Sequence, residues 1–169
     1  MSKLFKSICD ELHIKASHLK YPSFPVKYIP PLDIKGTSTN KLEKQIVAFI
    51  QLHAWQAERI KNTGQARVSE LKRANGYHQK SVSYTKGTGT AGTADISATI
   101  EGRSVKIEVK NAKTKDRMSK HQENYQSQLD LTGGVYYIAR DIDSFIEWFN
   151  DNFKINPRWE QAIGLTYKA

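Results

Sequence analysis

The 169-residue chain carries 26 Lys and Arg against 17 Asp and Glu, a formal charge of +9, which points to a polyanionic partner such as nucleic acid. No apolar run approaches the ~18 residues of a membrane span, so no membrane partner is expected. Cys9 is the single cysteine, which excludes an internal disulfide and a Cys-rich zinc site.

A hydrophobic fraction of 38% is enough for one packed core. The first residues, MSKLFKSICDELH, meet acids before any signal-like apolar stretch, and a reducing cytoplasm is the expected compartment. Residues 3–19 place Leu4, Ile8 and Leu12 at helical spacing. Residues 21–39 hold all but one of the five prolines and read as an extended connector whose aromatics could pack on the core. Residues 1–39 thus form an N-terminal helical and proline-rich extension, and residues 40–169 the main domain.

A second helix is expected from Asn40, with Asn40 and Glu43 as a capping box. Its apolar stripe is Leu42, Ile46, Phe49, Ile50, His53 and Ala57, running out near Gly64. RVSELKRA reads as a further polar helical stretch stopping at Gly76. Strand character follows in YHQKSVSYT, then a Gly/Thr tract, KGTGTAGT. After a strand pair over residues 94–110 comes a basic loop, NAKTKDRM, and a helix from Ser119 to the Gly133-Gly134 stop. VYYIA reads as a buried strand, and Asp143 or Ser144 as the cap of a last clear helix, FIEWFNDNF. The tail from Lys154 gives no clear signal. This order predicts an α/β fold with a mixed central sheet flanked by helices.

The strand pair ADISATIEGRSVKIEVK carries the chemistry. A two-residue turn at Glu101-Gly102 pairs Ile100 with Arg103, Ala98 with Val105 and Ile96 with Ile107. On the opposite face Thr99 meets Ser104, Ser97 meets Lys106 and Asp95 meets Glu108. A slip of one residue would destroy this sorting of apolar from polar. Directly opposed residues have Cβ atoms about 4.5–5.5 Å apart, so Asp95 and Glu108 repel unless a divalent cation lies between them. Lys110, two residues beyond Glu108, shares that face, where an ammonium can orient a water and offset charge on a phosphate. Solvated charges on an exposed hairpin are the plainer alternative.

With those residues in place, the chain resembles the PD-(D/E)XK nuclease superfamily, and most the small VRR-NUC type, which is similar to Holliday-junction resolvases. The resemblance spans Asn40 to about Arg140 and follows the family's order. A helical glutamate comes first, then G-x-x-D, E-V-K, a basic loop, S-x-x-Q, and a strand after a Gly turn. Ala94 stands where the family often has proline.

The resemblance implies a restriction-endonuclease-like core and hydrolysis of DNA phosphodiesters. Asp95 and Glu108 would hold Mg²⁺ or Mn²⁺ with the carbonyl of Val109, and Lys110 would position the attacking water. Glu43 would be the helical acid completing or supporting the metal site, and Gln122 the helical glutamine beside the lysine. Lys86, Lys113, Lys115, Arg117 and Lys120 would contact DNA phosphates. Branched or junction DNA and a homodimer are the associated expectations. Glu43 and Gln122 are equally accounted for as capping-box residues. His121 reads as a surface or DNA contact, and the other histidines show no ligand spacing. The alternative to an enzyme is a DNA-binding module that keeps the nuclease fold without cleavage. An RNA-directed role lacks any RNP-like strand motif.

Overall fold

The structure is a computed structural model that describes residues 2–35, 38–60, 65–72, 78–85, 90–111 and 117–166. Helix α1 (Lys3–Lys20) is N-capped by Ser2, whose hydroxyl accepts from the Phe5 amide. It buries Phe5, Cys9, Leu12 and Ala16 and leaves Leu4 exposed. The expected stripe is therefore rotated by about one residue. The Phe5–Cys9–Leu12–Ala16 spacing is equally helical, and it buries a phenylalanine. The connector that follows contains one short 3₁₀ turn, Val26–Tyr28. Its aromatics Tyr21, Phe24 and Tyr28 stay exposed, and Leu32 and Ile34 pack against the core in their place.

Helix α2 (Ser38–Leu52) begins before Asn40 and ends well before Gly64. The Asn40 capping box therefore does not form. Asn40 lies inside the helix, and its side-chain oxygen accepts from Arg59 Nη1 at 3.2 Å. The chain breaks at Ala54, which has φ of 62°, a conformation the sequence does not advertise because no glycine stands there. Residues from the tail stabilise this break. Asn156 bonds the carbonyls of His53 and Ala54, and the Trp159 indole donates to the Leu52 carbonyl at 2.7 Å. These groups satisfy carbonyls that a helix end leaves orphaned. The ambiguous tail thus has a task, and part of it forms α5 (Trp159–Thr166).

Strand β1 (Gln56–Arg59) occupies sequence that reads as more helix, and Ala57 is buried from it. β2 (Gln65–Lys72) replaces the second expected helix and pairs antiparallel with β3 (His78–Thr85) as a separate two-stranded ribbon. The expected Gly76 stop lies outside the described residues. Alternation of Ala66, Val68 and Glu70 opposite Tyr84, Val82 and Lys80 explains the strand, since cross-strand pairing overrides the helix propensity of Glu, Leu and Lys.

β4 (Ile96–Ile100) and β5 (Arg103–Val109) form the expected hairpin in the expected register, Ile96 to Ile107 through Ile100 to Arg103. Glu101 and Gly102 both have positive φ, at 51° and 76°, as a two-residue turn of this hand requires. Helix α3 (Lys120–Leu131) has Ser119 as its N-cap, and Gly133 follows it at φ 78°. β6 (Val135–Ala139) then runs parallel to β5 and is half-buried. Helix α4 (Ile142–Asn152) is capped by Asp141, earlier than expected, and the Ser144 amide and hydroxyl both donate to it.

The result is a mixed four-stranded sheet in the order β1-β4-β5-β6, flanked by helices. Phe5, Ile46, Phe49, Ile50, Ile96, Ile107, Phe145 and Phe149 form one core with the sheet's apolar face. Helix α1 contributes directly to it. Trp148 of α4 stacks on Tyr137 with centroids 4.1 Å apart, which gives it a packing role. The other face of the sheet is polar, and α3 packs beside β6 there.

Candidate active site

Strand alternation sends Lys106, Glu108 and Lys110 away from the core. Lys106 donates to the Ser97 hydroxyl at 2.5 Å, the cross-strand pair set by the register. Glu108 and Lys110 are nonetheless dry, at 6% and 7% exposure. Asp95 stands immediately before β4. Its carbonyl accepts from the Ile60 amide at 2.7 Å, and its Oδ2 accepts from the Val109 amide at 2.9 Å. The aspartate is thereby fixed at the end of the hairpin beside Glu108.

Burial pushes the Glu108 carboxyl above its ordinary range, and the Asp95 charge pushes it further. Lys110 pulls in the opposite sense, with Nζ 3.3 Å from Glu108 Oε1, and so does Gln122. Glu108 Oε2 is buried with no hydrogen-bond partner among the described residues.

Gln122 joins the parts. Its Nε2 donates to Glu108 Oε1 at 2.5 Å, and its Oε1 accepts from Lys110 Nζ at 3.2 Å. The same Oε1 accepts from the Ser119 amide at 2.9 Å, completing the capping box of α3. The two readings of Gln122 are one arrangement, because an amide oxygen has two lone pairs and the side chain turns toward the sheet. The cap thus fixes the rotamer that holds the lysine.

Gly92 of the G-x-x-D motif has φ of 85°. A Cβ there would lie 2.3 Å from the His121 carbonyl oxygen and 2.8 Å from the Gln122 nitrogen. The Asp95 strand and the start of α3 therefore meet through a position only glycine fits. The Gly/Thr tract reads from sequence as a mobile approach to Asp95, and nothing in its composition signals this contact. Tyr136, on β6 opposite Lys106, is a further neighbour. Burial, then the charges of Glu108 and Asp95, hold its phenol well above the ordinary value. Its hydroxyl feels Glu108 without reaching hydrogen-bond geometry, and it too is buried without a hydrogen-bond partner among the described residues.

Glu43 is placed differently. It forms an ion pair with Arg59, the guanidinium that also serves Asn40. Among the described residues, no group of three His, Cys, Asp or Glu side chains comes together as a metal cage. Arg117 and Lys120 are exposed just ahead of and at the start of α3. Lys86, Lys113 and Lys115 lie outside the described residues. His53 is a core residue, with Nδ1 2.7 Å from the Phe49 carbonyl and its imidazole held neutral by burial.

No family model matches the chain, and neither a curated protein nor a solved structure shows a significant match to it. No helix among the described residues is long and apolar enough to cross a membrane.

Proposed function

We propose that the protein is a divalent-metal-dependent DNA endonuclease with a restriction-endonuclease-like core, of the PD-(D/E)XK kind its motifs resemble. The observation that carries this reading is the constellation of Asp95, Glu108, Lys110 and Gln122, in which Glu108 and Lys110 are dry and Asp95 and Gln122 are half-buried beside them. A fold selected for stability alone would not bury Glu108 beside a second acid with one carboxylate oxygen orphaned among the described residues. The donor set suits Mg²⁺ or Mn²⁺, hard cations that take carboxylate and carbonyl oxygen and retain waters. Asp95, Glu108 and the Val109 carbonyl would hold the ion. When bound, such an ion supplies an activated water and Lewis-acid stabilisation of the phosphoryl group.

The chain's own residues do the rest. Gln122 and Glu108 hold the Lys110 ammonium in place, ready to orient the attacking water and offset developing negative charge. Arg117 and Lys120, exposed ahead of and at the start of α3, would contact the phosphate backbone, and branched or junction DNA is one substrate class to be compared with plain duplex. The alternative of a non-catalytic DNA-binding module draws on one observation: Glu43 forms an ion pair with Arg59.

Incubation with plasmid, linear and branched DNA and with RNA separates the two. Cleavage with Mg²⁺ or Mn²⁺, absent with chelator and absent in Asp95→Ala, is the expected result. DNA binding that persists while no condition gives cleavage would establish the module instead.

A further inference from the structure

Among the described residues, none of the β2–β3 ribbon belongs to the core. Its strands pair across eight residues each and are not hydrogen-bonded to the four-stranded sheet. Val68, Val82 and Tyr84 are exposed at 63%, 60% and 81%, and they share one face by register. An isolated two-stranded hairpin is marginally stable in water, so a fold retaining one with its apolar side chains bare suits a surface that meets a partner.

Charge and placement say which partner. The two strands, residues 65–72 and 78–85, hold Arg67, Lys72 and Lys80 against a single acid, Glu70. Glu70 is matched across the ribbon by Lys80 at 3.3 Å. Both ends of the ribbon return to the site. β2 follows Ile60, whose amide holds the Asp95 carbonyl, by four intervening residues. β3 is followed after four residues by the Thr90–Thr93 turn that leads to Asp95. A chain spans at most about 3.6 Å per residue, so Gln65 lies within roughly 18 Å of Ile60, and Thr85 within roughly 18 Å of Thr90.

We infer that this ribbon is a duplex-binding arm: a cationic two-stranded element that enters a groove of the DNA next to the bond to be cut. A two-stranded β-ribbon fits the major groove, about 12 Å wide. The basic residues would take phosphates, and the Val68–Val82–Tyr84 face would contact thymine methyls and sugars. This rests on the nuclease reading for the position of the scissile bond, and on the ribbon's own charge for the binding.

The test is fluorescence anisotropy of a short DNA duplex titrated with the full chain across a salt series, with chelator present to prevent cleavage. Arg67→Ser, Lys72→Ser and Lys80→Ser combined should weaken binding by about tenfold or more and make the log K against log salt slope shallower by about two to three. The corresponding Arg/Lys exchanges should retain both. Lys15→Ser with Arg158→Ser, in the groove between α1 and α5, should leave both unchanged.

A triple variant that folds by circular dichroism and binds like the parent would overturn the inference, and cleavage by that variant would leave the nuclease reading standing. An Asp95→Asn protein that keeps ribbon-dependent affinity but cuts nothing supports the arm independently of the parent's activity. A dimer that Val68→Ser with Val82→Ser dissociates, with duplex affinity unaltered, would assign the ribbon to a second copy and overturn the inference.

Discussion

Along β5 and the residue after it, Val105, Ile107 and Val109 enter the core, while Lys106, Glu108 and Lys110 take the opposite face, where Glu108 and Lys110 meet Gln122 of α3. At the far end of β5 the two faces are equally dry, with Val109 5% exposed and Glu108 6%. For the valine, exclusion of water is a gain in stability. For the glutamate it is a cost, only partly offset by Lys110 and Gln122. The core face can be understood from packing alone. The polar face holds an acid that folding would exchange for glutamine, and that difference separates the part of the sheet that folds from the part that acts.

The largest effect expected is on chemistry. Asp95→Asn or Lys110→Met should lower single-turnover DNA cleavage by at least about a hundredfold while far-ultraviolet circular dichroism stays unchanged. On the opposite face, Ile107→Ala should cost about 2–5 kcal/mol in urea unfolding, with cleavage per folded molecule retained. If both substitutions affected both readouts equally, the contrast between the faces would fail.

Gly92→Ala joins the two measurements. The new methyl meets the His121 carbonyl, and φ is positive, so a loss of about 1–3 kcal/mol is expected together with weaker cleavage as Gln122 shifts.

Smaller again is a pH effect in chelator. The Glu108 carboxyl is raised in the folded state above its ordinary value of 4.5. Below that value it is protonated in both states and costs nothing. As pH rises from there through the raised folded value, the parent should lose stability relative to Glu108→Gln and then level off. A parent that gains on Glu108→Gln over that window would reverse the sign and contradict the buried-acid account. Smallest is Cys9, buried with its thiol pushed up to about 12, which should resist alkylation until the protein unfolds.

The hairpin register, the S-x-x-Q helix and the grouping of Asp95, Glu108 and Lys110 were legible because a period of two and a turn at Glu101-Gly102 leave one consistent pairing. The Gln122 cap was legible for the same local reason. β1 and β2 were not, because Gln56-Ala57-Glu58-Arg59 and Ser69-Glu70-Leu71-Lys72 consist of good helix formers whose strand state comes from distant partners. Glu43 turns to Arg59 through a strand that local spacing does not reveal. The role of Gly92 depends on an approach by α3 that local sequence cannot encode.

The most direct measurement is anomalous scattering from crystals soaked in Mn²⁺, paired with crystals of Glu108→Gln treated identically. The account expects a manganese peak between the Asp95 and Glu108 carboxylates in the parent and none in the variant. Ordered carboxylates with no peak between them in the parent would contradict it.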